Sequence, residues 1–265
     1  MNNLPLTGTV WVASDIHLGP DTPATARAFH AFLDQACVQA DALILCGDIF
    51  DAWIGDDFAL AAPPDWLSET LEKFKQVSAT MPLWLGRGNR DFLIGTSLTR
   101  HVGAQLLPDP VCLETDAGRV LLSHGDEYCT ADQSYQRFRR VVRCPAVQKV
   151  FLALSLGLRR GIAHWARQRS MSANRGKSAN IMDVSPAAIE KAFAGNDIAT
   201  LVHGHTHRPA THTLMVNGIA RQRIVLPDWD YDHGAAARGG WLAISSQGCA
   251  LHLAPAAPAG AAAGA

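Results

Sequence analysis

Short apolar segments alternate with amphipathic segments of helical spacing along the first half of the chain. The apolar segments are rich in Val, Ile and Leu, which is typical of buried strands, and they cover residues 9–14, 42–46, 82–85 and 119–123. Between them, helical spacing predicts helices over residues 24–40 and 65–78. This alternation of strands and helices predicts an α/β fold.

Residues 131–184 have a different character, with many arginines and few strand-formers. An apolar stripe of helical spacing predicts helix around residues 147–158; it consists of Val147, Val150, Phe151, Leu154 and Leu158. We interpret this segment as a helical cap inserted into the core. Two alternatives stay open: amphipathic helices that simply pack on the core, or a lid whose apolar face meets lipid at an anionic membrane surface.

The pattern of the core resumes after the cap. A capped helix is expected over residues 185–194, a strand over 198–202, and antiparallel strands over 213–216, 222–226 and 240–245. The core therefore comprises residues 1–130 and 185–254, with the cap at 131–184. Residues 255–265 are almost all Ala, Gly and Pro, and we expect them to be a disordered tail.

Composition narrows the class of protein. The chain has 265 residues, 48% hydrophobic and 18% charged, which suits a sizeable core. A net charge of -1 gives no overall basic field to recruit nucleic acid. No apolar run reaches the roughly 20 residues that cross a bilayer, and the N-terminus lacks the features of a signal peptide. The six scattered cysteines form no Cys-x-x-Cys pair, so we expect reduced thiols in a cytoplasmic protein.

Residues of types that can bind metals lie at the ends of five predicted strands. They are Asp15 and His17, Asp48, Asn89, His124, and His203 with His205. Alternate residues of an extended segment share a face, and α/β folds build their sites at the carboxyl ends of strands. Each motif taken alone also fits an ordinary surface loop, but five together predict a metal centre. Seven nitrogen and oxygen donors suffice for two divalent ions and favour Mn, Fe, Zn or Co over Ca.

The motifs Asp-x-His, Gly-Asp, Gly-Asn-x-Asp, His-Gly-Asp and Gly-His-x-His follow in this order, and together they resemble the calcineurin-like metallophosphoesterase family. The resemblance implies a four-layer αββα sandwich of two mixed sheets. It also implies two ligand sets. The first metal would be held by Asp15, His17, Asp48 and His205, and the second by Asp48, Asn89, His124 and His203.

Several short segments resemble those of the family members that act in lipid A synthesis. They are residues 50–57, 129–132 and 181–184, together with Arg90, where many members of the family have His. The likeness implies hydrolysis of the pyrophosphate bond of UDP-2,3-diacylglucosamine to UMP and 2,3-diacylglucosamine 1-phosphate (lipid X). It further implies two Mn2+ per chain that activate a water molecule, and peripheral attachment to the cytoplasmic face of the inner membrane. We expect no nucleic acid and no obligate protein partner.

The same resemblance implies roles for individual side chains. Arg90, Asp48 and His203 would be catalytic. Substrate contacts would come from Asn89, Arg90, Asp132, His203 and the cap residues Ser170, Asn174 and Lys177. A sugar phosphate, with a second pKa of about 6, leaves without help from an acid, which explains how Arg90 can replace a histidine.

Two other hypotheses remain. A different member of the family would act on a soluble nucleotide-sugar or a cyclic nucleotide, and the apolar cap argues against it. A metal-free scaffold would keep only the fold, and the complete set of seven ligands argues against that.

Overall fold

Twelve strands pair in two six-stranded mixed sheets in the computed structural model, which describes residues 2–174, 183–234 and 236–253. The strands are β1 (Asn2–Pro5), β2 (Val10–Ala13), β3 (Ala42–Leu45), β4 (Leu83–Leu85), β5 (Gln105–Leu106), β6 (Val111–Thr115), β7 (Gly118–Ser123), β8 (Thr200–His203), β9 (Ala210–Val216), β10 (Ile219–Val225), β11 (Gly240–Ser245) and β12 (Gly248–Leu253). One sheet has the order β1-β6-β7-β8-β10-β9, and the other has the order β12-β11-β2-β3-β4-β5.

Some of the described helices cover the outer faces of the two sheets, and the others, α5 to α7, occupy the segment that we interpret as a cap. They are α1 (Pro23–Gln39), α2 (Asp56–Ala61), α3 (Asp65–Thr80), α4 (Thr96–His101), α5 (Gln133–Val142), α6 (Pro145–Leu152), α7 (Leu156–Asn174) and α8 (Pro186–Ala194). Helices α1 and α3 pack on the sheet that contains β2, whereas α8 packs on the sheet that contains β7.

The alternation of side chains along each strand explains how the sheets and helices pack in layers. Val10 and Val12 of β2 point between the sheets and pack with Val120 and Val202 of the opposite sheet. Trp11 and Ala13 point the other way and join the core beneath α1 and α3. Because successive side chains of a strand face opposite sides, a fully buried strand of this kind must be covered on both faces. The predicted αββα sandwich of two mixed sheets is confirmed.

The cap is built differently from the helix that we expected there. The apolar stripe over residues 147–158 extends over two helices, α6 and α7, so the prediction of a single helix is wrong. The Ser155 hydroxyl accepts a hydrogen bond from the backbone N–H of Leu158 at 3.5 Å, which favours a new helix start at this point. Phe151 packs against the core, whereas Val150 is 68% exposed, so the stripe does not form one buried face.

Three further expectations concern the ends and the thiols. All six cysteines are free thiols, as expected. Among the described helices, none combines the length and the apolar character needed to cross a bilayer. The expected disordered tail, residues 255–265, lies outside the described residues, as does Lys177.

Candidate active site at the strand ends

The parallel pairing of neighbouring strands brings the predicted ligands to one edge. Strands β2, β3 and β4 are parallel neighbours in one sheet, and β7 and β8 are parallel neighbours in the other. The predicted ligands lie in the loops that follow these five strands, except His203, which is the last residue of β8. The carboxyl ends of parallel strands meet at one edge of each sheet, which explains how residues distant in sequence converge.

The backbone at this edge adopts a left-handed conformation that side chains other than glycine rarely take. Six non-glycine residues of the described chain have positive φ, and five of them lie here. The five are Asp15, His17, Asp48, His205 and His207. Such conformations cost about 1–3 kcal/mol each and persist where the surrounding structure determines them, as at active sites. The pattern marks this edge independently of any motif.

Two glycines allow the loops to approach closely. A Cβ on Gly88 would lie 2.0 Å from Oδ1 of Asp48, and a Cβ on Gly204 would lie 2.2 Å from Oδ2 of Asp15. Any side chain at either position would displace a carboxylate of the site. Steric constraint therefore explains why glycine occupies these positions in the Gly-Asn-x-Asp and Gly-His-x-His motifs.

Asp91, which we did not predict as a site residue, organises the loop after β3. Its fully buried carboxylate accepts hydrogen bonds from the backbone N–H groups of Gly88 at 2.6 Å, Ile49 at 2.7 Å and Asp48 at 3.1 Å. These bonds join the loop that carries Asn89 to the loop that carries Asp48. The aspartate of the Gly-Asn-x-Asp motif was the sequence signal for this role.

The first cluster consists of Asp15, His17 and His207, whose ligand atoms lie within 4.8 Å of one another. Nε2 of His207 lies 3.4 Å from Oδ1 of Asp15 and 3.2 Å from Nε2 of His17. On its other side, Nδ1 of His207 lies 3.5 Å from the carboxylate of Asp228. Sequence reasoning missed His207, although it is the second histidine of Gly204-His205-Thr206-His207.

The second cluster consists of Asp15, Asp48 and His124, again within 4.8 Å. Nε2 of His124 lies 3.8 Å from Oδ1 of Asp48 and 3.2 Å from Oδ1 of Asn89. The same Asn89 oxygen lies 2.8 Å from Nδ1 of His205. Asp48 stands between the clusters, because its other oxygen lies 3.9 Å from Nδ1 of His17.

His203 does not join either cluster. Its Nδ1 lies 2.8 Å from the carbonyl oxygen of Gly204, and its Nε2 lies 3.4 Å from Nη1 of Arg223. The reason is positional: His203 is the last residue of β8, paired with Val225 and Ser123, whereas His205 and His207 lie in the loop beyond the strand end. Our expectation that His203 holds the second metal therefore has no support from the ring's position.

Burial and charge set the protonation of the cluster. Burial, with the positive charge of His124, lowers the pKa of His205 to about 3. Burial would also lower the pKa of His124, but the carboxylates of Asp48 and Asp15 raise it to about 9. Burial raises the pKa of Asp48 to about 7 against the attraction of His124. Burial alone would raise the pKa of Asp15, yet the rings of His207 and His124 hold it well below its usual range.

Several buried polar atoms of the site lack a hydrogen-bond partner. They include Oδ1 of Asp15, Nδ1 of His17 and Nδ1 of His124. An unpaired buried polar atom costs about 1–3 kcal/mol, so native structures rarely keep several in one place. A cation coordinated between carboxylate and imidazole would satisfy them. The donor set, which contains no thiolate, fits divalent ions such as Mn, Fe, Zn or Co.

The residues predicted to contact the substrate lie in different parts of the structure: one beside the clusters, one at the start of α5 and two on α7. Arg90 borders the cluster, with Nε 3.7 Å from Oδ2 of Asp48. Asp132 is the N-cap of α5 and accepts a hydrogen bond from the backbone N–H of Tyr135 at 3.0 Å. Ser170 is exposed on α7, and Asn174 ends that helix with its side chain outside the described residues.

A sandwich of two mixed sheets with paired acid, imidazole and amide donors at the strand ends defines a metal-dependent phosphoesterase. The model of the calcineurin-like phosphoesterase family matches residues 8–209, and the chain belongs to this family. The family and the two clusters together indicate a dinuclear metal site.

Particular relatives are similar along nearly the whole chain. The UDP-2,3-diacylglucosamine hydrolase of Bordetella parapertussis is 57% identical, over 94% of this chain and 96% of that protein. The UDP-2,3-diacylglucosamine hydrolase of Shewanella baltica is 41% identical, over 91% of this chain and 95% of that protein. The protein of the same name from Serratia proteamaculans is 43% identical, over 83% of this chain and 90% of that protein.

Proposed function

We propose that this protein hydrolyses the pyrophosphate bond of UDP-2,3-diacylglucosamine to UMP and lipid X in lipid A biosynthesis. The observation that carries the proposal is the match, at 57% identity over 94% of the chain, to a hydrolase named for this substrate. The two clusters at the strand ends would form the catalytic centre, because the chain belongs to a family of phosphoesterases.

The ligand sets that we propose differ from the expected ones by one histidine in each set. Asp15, His17, Asp48 and His207 would hold the first ion, and Asp48, Asn89, His124 and His205 would hold the second. The positions of His207 beside Asp15 and His17, and of His205 beside Asn89, support this revision. Bound divalent ions, which we propose to be Mn2+, would activate water and neutralise charge on the phosphate.

The chain's own residues then orient the substrate. Asp91 and Gly88 fix the loops that hold Asp48 and Asn89. The guanidinium of Arg90 would bind pyrophosphate oxygens, since arginine suits phosphate geometry and stays charged. No general acid is required, because the leaving sugar phosphate has a second pKa of about 6. A site without a general acid favours an anhydride as substrate over a phosphate monoester, which must expel an alkoxide.

The cap would receive the acyl chains. Of thirteen large hydrophobic side chains exposed in the described residues, eight lie on α5, α6 and α7; they are Phe138, Val141, Val147, Val150, Leu152, Leu158, Ile162 and Trp165. Residues 131–174 also contain nine Lys or Arg and a single acid. Apolar groups interleaved with positive charge suit an anionic lipid surface. We therefore propose that the cap lies against the cytoplasmic face of the inner membrane and contacts the substrate through Ser170, Asn174 and Lys177.

The test is turnover of UDP-2,3-diacylglucosamine by the full chain, with and without Mn2+, followed by 31P NMR. We expect UMP and a lipid monophosphate with Mn2+ and no products after chelation. UDP-N-acetylglucosamine, which lacks the acyl chains, should be cleaved far more slowly. Equal turnover of both substrates would favour a hydrolase of soluble nucleotide-sugars instead.

A further inference from the structure

The carboxylate of Asp51 lies between two arginines from different parts of the chain. Nη1 of Arg90 lies 2.5 Å from Oδ1 of Asp51, and Nη2 of Arg167 lies 2.7 Å from the same oxygen. Arg167 also donates to the backbone carbonyl oxygen of Asp51 at 3.2 Å. Arg90 belongs to the loop after β4, whereas Arg167 belongs to cap helix α7.

The three side chains remain partly open to solvent. The side chain of Asp51 is 31% exposed, that of Arg90 31% and that of Arg167 39%. A partly exposed ion pair contributes little to stability, so stability does not explain why two guanidinium groups share one oxygen. Nε of Arg90 also lies 3.7 Å from Oδ2 of Asp48, so the guanidinium reaches from the candidate metal centre to Asp51.

We infer that Asp51 is a positioning residue that aims the Arg90 guanidinium at the reacting phosphate and ties it, through Arg167, to the cap. This inference rests on the proposed function. The backbone supports it: the N–H of Asp51 donates to the carbonyl oxygen of Leu18 at 2.9 Å, which fixes the carboxylate beside the loop of Asp15 and His17. Movement of α7 upon contact with lipid would thus reach Arg90 through one side chain.

The chain contains a matched control nearby. Asp57 also joins the core to the cap: it pairs with Arg159 of α7, whose Nη1 donates to Oδ1 of Asp57 at 2.8 Å. Asp57 has no described contact with Arg90. A residue that merely fastens the cap should behave like Asp57, whereas a residue that positions Arg90 should not.

The experiment is a double-mutant cycle on kcat with Asp51→Ala, Arg90→Ala and the double variant. We expect Asp51→Ala to lower kcat about tenfold. The double variant should match Arg90→Ala within about twofold, because the loss of Asp51 has no further effect on kcat once the Arg90 guanidinium is absent. In the control cycle, Asp57→Ala should change kcat less than about twofold in either background. Asp51→Asn, which keeps an acceptor oxygen, should give a smaller loss than Asp51→Ala.

The inference fails if the losses of Asp51→Ala and Arg90→Ala multiply, or if Asp51→Ala behaves like Asp57→Ala. Each cycle is measured with UDP-2,3-diacylglucosamine and with bis(p-nitrophenyl) phosphate, a generic phosphodiester. Wild-type protein that cleaves only the generic diester would contradict the proposed substrate, and the cycle on that diester would still decide the role of Asp51. Circular dichroism checks that each variant is folded.

Discussion

The two clusters of candidate metal ligands and the cap lie on the same chain but are stabilised in different ways. Most side chains of the clusters are buried, and backbone hydrogen bonds, left-handed residues and close glycines hold the loops that carry them. The cap helices α5 and α6 bury no residue, and they expose apolar side chains such as Val141 and Val150. Described ion pairs, such as those of Asp51 and Asp57, join α7 to the core.

The difference corresponds to two tasks. Chemistry at phosphorus needs donors held within a fraction of an ångström, which explains the rigid strand ends. The proposed diacylated substrate would have to enter and leave, and the elements that admit a ligand come from the less stable parts of a structure. Substitutions in the clusters should therefore abolish turnover of every substrate, whereas substitutions in the cap should affect mainly the lipid.

The largest effect is expected for Asp48→Ala, because Asp48 lies between the clusters. Loss of a shared ligand should cost at least about 4 kcal/mol of transition-state stabilisation, roughly a thousandfold in kcat. Metal content, measured by mass spectrometry of the purified protein, should fall below two ions per chain. Asp34→Ala, an exposed acid on α1, serves as the control. Two retained ions with near-normal kcat would remove Asp48 from the site.

The next prediction separates the two alternative ligand sets. His207→Ala should weaken metal affinity by more than the roughly 10–100-fold that loss of an outer partner causes, with partial recovery of turnover at high Mn2+. His203→Ala should keep both ions, because its ring lies toward Gly204 and Arg223. Metal titration by calorimetry measures both variants. The opposite ranking would restore the ligand set expected from the motif.

A smaller effect is expected on the cap. Val150→Asp should lower kcat/KM for the diacylated substrate about tenfold, since burial of a valine is worth about 1.5 kcal/mol. Turnover of bis(p-nitrophenyl) phosphate should be unchanged. Val38→Asp is the matched control, because Val38 is 83% exposed on α1, in the core domain. Equal effects of Val150→Asp on both substrates would contradict contact between the cap and the acyl chains.

The sequence predicted the fold, and the strand ends at which the candidate ligands lie, for a physical reason. Buried strands such as 42–46 have a simple apolar pattern, and the ligands follow them directly. The strands β1, β5, β6 and β12 and the helix break at Ser155 were missed, because tertiary pairing and capping override weak local patterns there. His207 was missed because alternation places three histidines on one face, and only the fold decides which of them lie beyond the strand end. Asp51 shows no local pattern, since its partners lie 39 and 116 residues away.

The smallest expected effect concerns pH and the pair Asp57–Arg159. The hydrogen bond from Arg159 holds the pKa of Asp57 below its ordinary value of 3.8. A carboxylate with a lowered pKa in the folded state stabilises the protein above that ordinary value, and the stabilisation is lost as pH falls through the folded-state pKa. The side chain of Asp57 is 55% exposed, so the contribution is at most about 1 kcal/mol, or about 2–4 °C in Tm. Asp57→Asn should therefore lower Tm at pH 6 and have less effect near pH 3, while kcat at neutral pH stays unchanged. Thermal unfolding across this range measures the difference. An equal loss of Tm at both pH values would show that packing, and not the ion pair, joins α7 to the core at this point.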